Sequence, residues 1–174
     1  PFIGTFHALA VRILRQEIEC LGRDSNFIIY DQKDRLSLVK EIMASHNIPT
    51  DQFKPGAILA KISNLKSNLI SATSARENAK DFFEQVVAKV FIAYEESLFS
   101  TNALDFDDLL VLVIKVFKKD ESALARHQSI FKYILVDEYQ DTNKAQYIIL
   151  KMLAEKHKNI CVVGDDWQSI YSFR

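Results

Sequence analysis

The sequence predicts an α/β chain whose parallel sheet is interrupted by a long helical insertion. Two short apolar runs, Tyr133–Val136 and Ile160–Val163, each stop abruptly at acidic or glycine-acidic residues, and a helical pattern separates them. Uninterrupted apolar runs of that length, joined by helices, describe strands of a parallel sheet buried on both faces. Between residues 26 and 102 the pattern is amphipathic helix almost throughout. The expected organisation is therefore discontinuous: residues 1–25 and 103–174 form the α/β part, and residues 26–102 form the insertion.

Taken in order, residues 2–5 (Phe-Ile-Gly-Thr) read as the end of a first strand that shares the sheet with the later ones. A helix follows, with Leu9, Ile13, Leu14, Ile18 and Leu21 at helical spacing and Gly22 as its C-terminal stop. Apart from the apolar run Phe27–Tyr30, the insertion is helical. Asp31 caps a helix that buries Leu36, Val39, Ile42 and Met43. A loop marked by Pro49, Pro55 and Gly56 leads to a second helix with Ile58, Leu59, Ile62 and Leu65 on one face. The third carries Phe82, Phe83, Val86, Val87, Val90, Phe91 and Tyr94, an aromatic stripe read as core. Lys61, Lys66, Lys80 and Lys89 on these helices read as a solvated face, with a duplex-DNA contact as the sharper alternative.

Beyond Asn102, Asp105 caps a helix burying Phe106, Leu109, Leu110, Val113 and Phe117, and Asp108 serves the same helix end. Asn143 and Gln146 have capping-box spacing at the start of a helix containing Ile148, Ile149, Met152 and Leu153. Asp165 and Asp166 read as loop-ordering residues, with a second metal pair as the alternative.

Composition narrows the function only by exclusion. Lys plus Arg (22) nearly cancels Asp plus Glu (23), so no global basic field attracts nucleic acid, and any such contact must be local. No apolar stretch is long enough to span a bilayer. His7, Arg12 and Arg15 interrupt the apolar start, which is not a signal peptide. Cys20 and Cys161 form no metal or disulfide pattern, which favours a reducing, cytoplasmic setting. The first residue is Pro1, and the chain is expected to be a piece of a longer protein.

In open parallel sheets, ligands bind beyond the carboxyl ends of the strands, which places Asp137 and Glu138 at such an end. One carboxylate there can hold a hydrated Mg²⁺, and its neighbour can orient or deprotonate an attacking water. The longer string Val136-Asp137-Glu138-Tyr139-Gln140-Asp141-Thr142-Asn143 resembles the Walker B segment of UvrD/Rep/PcrA-type superfamily 1 DNA helicases. Residues 163–174 (Val-Gly-Asp-Asp-Trp-Gln-Ser-Ile-Tyr-Ser-Phe-Arg) resemble that family's third motif, and Gly4-Thr5-Phe6-His7 its motif at the single-strand track. Residues 103–110 resemble another family string, so four matches fall in family order over nearly the whole chain.

The resemblance implies a partial RecA-like ATP-binding subdomain carrying an inserted helical subdomain. It implies ATP and Mg²⁺ as cofactors, with Asp137 on the metal, Glu138 as catalytic base and Gln168 sensing the γ-phosphate. Thr5, His7, Tyr171, Phe173 and Arg174 would meet single-stranded DNA or a single-strand/duplex junction. The parent reaction would be ATP hydrolysis coupled to 3′-to-5′ movement on DNA and to unwinding, in repair or replication, with the remaining helicase domains as partners. Plain structural roles compete: Tyr171 and Phe173 could cover a sheet edge, and His7 could bond backbone at a helix start. Two other classes stay open. One is a metal-dependent phosphohydrolase or nuclease built on Asp137, Glu138, Asp141, Asp165 and Asp166; the other is a non-catalytic helical interaction module centred on residues 26–102.

Departures from the family pattern matter as well. Gly4, Gly22, Gly56 and Gly164 form no Gly-Lys-Thr/Ser phosphate loop, the family's later arginine motifs are absent, and Ala8 stands where serine is common. Positioning is most of phosphoryl-transfer catalysis. The 174-residue chain alone is therefore expected to show no DNA-stimulated ATP turnover, which a phosphate-release assay on contaminant-free protein checks.

Overall fold

The computed structural model describes residues 1–165. The chain is α/β and mostly helical, and the described residues contain four short strands arranged as two separate parallel pairs. The elements are α1 (Phe6–Glu17), β1 (Ile28–Ile29), α2 (Gln32–Ser45), α3 (Pro55–Ser67), α4 (Ala72–Glu77) and α5 (Phe82–Ser100). They continue with β2 (Ala103–Leu104), α6 (Phe106–Lys119), α7 (Glu121–Ile130), β3 (Ile134–Val136), α8 (Lys144–Ala154) and β4 (Ile160–Val162).

The capping signals are realised as side-chain geometry. Asp31, Asp105 and Asn143 each close a reciprocal capping box at the start of α2, α6 and α8. Gly22 takes φ 76°, the left-handed conformation that ends the helical turn following α1. Two short helices, α4 and α7, carry patterns too weak to mark them in the sequence. Each starts at a capping side chain, Ser71 and Asp120 respectively.

Two apolar clusters organise these elements. The first packs α1, α6, α7 and α8 around Ile13, Leu14, Val113, Phe117, Ile149 and others, with Phe27 and Leu104 added to it. The second packs α2, α3 and α5 through Val39, Met43, Ile58, Ile62, Phe91 and Tyr94. The chain passes between the clusters twice, and the two passages run side by side as the parallel pair β1–β2, with Ile28 opposite Ala103 and Ile29 opposite Leu104. Arg23 ties the passages further by donating to the carbonyl oxygens of Leu98 and Ala103, its guanidinium over the Phe99 ring at 4.9 Å.

Phe82 and Phe106, expected in the core, are exposed at the first positions of their helices, and three larger expectations are corrected. Residues 2–5 form no strand: Ile3 is 93% exposed, and Thr5 instead accepts a hydrogen bond from the Ala8 N–H and caps α1. A four-residue segment containing Gly4, with its last side chain committed to a helix end, has little left for a ladder. The sheet is also not one sheet buried on both faces, because among the described residues β3 and β4 pair only with each other, and Leu135 is 74% exposed.

The third correction concerns Lys66, which is 3% exposed and belongs to no solvated face. Its ammonium lies 2.7 Å from Asp108, 3.1 Å from Asp105 and 2.6 Å from Glu95. Arg35 pairs with Asp107 at 2.9 Å and donates to Ser63, and the Tyr94 hydroxyl donates to Asp105 at 3.0 Å. Cations from α2 and α3 thus meet the capping carboxylates of α6 where the two clusters touch. Burial opposes the Lys66 charge, but the three carboxylates outweigh it and hold the ammonium's pKa raised. Lys61 fits the solvated reading better, making a partly exposed ion pair with Glu84.

Candidate active site

Asp137 and Glu138 follow directly on β3. Val136 is buried, and its carbonyl accepts the Val163 N–H at 2.8 Å, so the end of β3 is locked to the end of β4. The chain then turns at once. Glu138 has φ 51° and ψ 43°, left-handed values that an L-residue adopts at a cost of about 1–2 kcal/mol. Strain of that kind persists only where its surroundings fix it, and it concentrates at functional sites.

What fixes it is visible on both sides. The Glu138 N–H donates to the Asp137 carboxylate at 2.9 Å, and the Tyr139 N–H donates to the Val163 carbonyl at 2.9 Å. The result is a pair of exposed carboxylates at the carboxyl end of a strand, held by backbone rather than buried among side chains.

That arrangement suits Mg²⁺ as it is usually bound, through one or two carboxylates with water and substrate phosphate completing the shell. It suits a dedicated protein cage less well. Among the described residues no three His, Cys, Asp or Glu side chains come together as a metal-binding group. Asp137, Glu138, Asp141 and Asp165 therefore do not converge as the nuclease reading requires, and Asp166 lies outside the described residues.

Gln140 was not singled out from the sequence. Its Nε2 donates to the Glu138 carboxylate, and its Oε1 accepts the Asp165 N–H at 3.1 Å. Gly164 lies against it so closely that an added Cβ would stand 2.7 Å from that Oε1. A glycine directly after an apolar run is the one signal that points to such a close approach.

At the other end of the chain, Thr5 caps α1 with its hydroxyl oxygen. His7 makes an edge-on contact with the Phe106 ring at 5.5 Å between centroids, rather than the backbone bond considered for a helix-start histidine. Burial lowers its pKa, with Asp107 opposing. Gln168, Tyr171, Phe173 and Arg174 lie outside the described residues.

Among the described residues no helix is long and apolar enough to cross a membrane. The family model described as UvrD/REP helicase N-terminal domain matches residues 1–174. A protein of Staphylococcus epidermidis named ATP-dependent DNA helicase PcrA is 46% identical over 173 residues, covering 99% of this chain and 24% of that protein. A Staphylococcus aureus protein of the same name is 44% identical over 173 residues, with the same coverage of both chains. The chain thus spans about a quarter of the length of the curated relatives it matches.

Proposed function

The chain belongs to the UvrD/REP helicase N-terminal domain family, and on that premise we propose that it supplies the metal and water-handling carboxylates of an ATP-driven DNA helicase. Asp137 would hold the Mg²⁺, which would supply charge neutralisation for the phosphates, and Glu138 would orient and deprotonate the attacking water. Gln168 senses the γ-phosphate. Thr5, His7, Tyr171, Phe173 and Arg174 contact single-stranded DNA, aromatic rings by stacking and Arg174 by charge. The rest of a longer chain supplies the phosphate loop and the remaining domains. The parent protein moves 3′ to 5′ on single strands, opens duplex at junctions and works on cytoplasmic DNA in repair or replication.

Residues 1–25 and 103–174 serve as the partial RecA-like unit and residues 26–102 as its insertion. The two apolar clusters and the paired passages between them support that division. The single observation that carries the function is the backbone-locked Asp137–Glu138 pair at the end of β3, bonded across to the strand that leads into residues 163–174.

The test separates the two halves of the reading in the full-length protein. Phe173→Ala is expected to weaken single-strand affinity about five- to a hundredfold, the scale of one lost stacked base, and to spare DNA-free ATP turnover. Asp137→Asn should instead shift the Mg²⁺ dependence of nucleotide binding to higher concentration and leave DNA affinity unchanged. Normal DNA binding by Phe173→Ala would return that ring to the sheet edge. An unchanged Mg²⁺ titration for Asp137→Asn would remove the metal role.

A further inference from the structure

We propose that Gln140 is a positioning residue that ties the Glu138 carboxylate to the segment leaving β4, so that the two move as one. The inference rests on Glu138 being the hydrolytic base. Its observation is separate: one side-chain amide is engaged at both ends, by groups that follow β3 and β4 respectively.

Chemistry fixes which way that amide points. The Glu138 carboxylate only accepts, so it must face Nε2; the Asp165 N–H only donates, so it must face Oε1. Reversing the amide would break both bonds together. The backbone beneath is tied in the same sense, Tyr139 to Val163 and Val163 to Val136. Gly164 completes the arrangement, since any side chain there would press on Oε1 before meeting the Gln140 and Tyr139 backbone nitrogens at 3.4 and 3.5 Å. A larger residue at 164 therefore acts first on the amide and only secondarily on the fold.

Glu138 needs such a partner. Its left-handed backbone holds the carboxylate exposed at a tight turn, where the side chain would otherwise sample several rotamers. Gln140 selects one of them and makes the choice depend on where Asp165 stands. Asp165 stands at the start of the segment that leaves β4, so the amide and the backbone bonds beneath it tie the base to that start.

The experiment is a steady-state ATPase series in the full-length protein, with and without single-stranded DNA. Gln140→Ala is expected to lower kcat about ten- to a hundredfold, the range for losing a hydrogen bond to a charged group, with KM for ATP within about twofold. Gln140→Glu keeps the length and the acceptor but sets a like charge beside Glu138, and should lose at least as much; a merely space-filling residue would tolerate it. Gly164→Ala should lower kcat as well, but should add nothing in a Gln140→Ala background, because the group it displaces is gone. Wild-type kcat for Gln140→Ala, alongside an inactive Glu138→Gln, overturns the tie and leaves the base assignment standing. Losses from Gln140→Ala and Gly164→Ala that multiply overturn it too. Normal turnover by Glu138→Gln removes the base assignment, and this inference with it.

Discussion

Glu138→Gln in the full-length protein is expected to bind ATP and Mg²⁺ within a few-fold of wild type while turnover falls by about 10²–10⁴, the scale for removing general acid–base catalysis. The substitution isolates chemistry from structure unusually well at this position. Glutamine has the same length and branching, so the left-handed turn at residue 138 is asked to hold nothing new. Its side-chain oxygen still accepts the Gln140 Nε2–H, so the bridge to Asp165 survives. The lost property is the ability to take a proton from water. A single-turnover hydrolysis measurement, paired with an equilibrium nucleotide titration, reads the two quantities separately. Turnover near the wild-type rate with intact binding would show that the proton leaves by another route.

Much of the route to that residue was legible from local sequence. Caps are short-range signals, and Asp31, Asp105, Asn143 and Gly22 act as the one-dimensional pattern predicts, because each bonds a backbone group within a few residues. The acidic pair after an apolar run was legible for the same reason: a strand end and its next two residues are contiguous. What failed was anything that depends on a distant partner. Residues 2–5 have strand-like composition, but a strand needs a neighbour to bond, and Thr5 is spent on a helix end. Gln140 looks like any turn glutamine until Asp165 arrives beside it from 25 residues on.

The same limit made Lys66 look solvated. It lies four residues after Ile62 and seven after Leu59, so helical spacing places it on the buried side of α3. A lysine there is credible only if anions wait for it, and those anions lie 39 and 42 residues away in the caps of α6. The caps were recognised and the lysine was seen; their meeting was not deducible from either alone.

That meeting sets the second large expectation. Lys66→Met keeps the aliphatic stem and its contacts but leaves Asp105, Asp108 and Glu95 facing one another, with Arg35, 3.6 Å from Asp105, as the cation that remains. Removing one partner of a buried pair typically costs about 3–5 kcal/mol, because the remaining charge is desolvated and uncompensated. Near-complete burial of Lys66, Asp105 and Asp108 means that solvent screening gives little relief.

The loss should also depend on pH, in a direction that can be worked out. Burial pushes the Asp108 carboxyl up to about 7, with Asp105 and Glu95 adding to the rise and Lys66 working against it. A carboxyl raised in the folded state holds its proton there while the unfolded chain has released it. Stability from that group is therefore full below the ordinary carboxylate range and is lost as pH rises through the folded pKa. Without Lys66 the carboxyls of this cluster rise further, so the variant should lose more stability at pH 8 than at pH 5. Urea unfolding of both proteins at the two pH values measures it. Asp108→Asn, which can still accept the Asp105 N–H, should recover part of the loss when combined with Lys66→Met, because one of the stranded charges is gone. A cost below about 1 kcal/mol that is equal at both pH values would mean that water reaches the junction and carries the charge that Lys66 carries here.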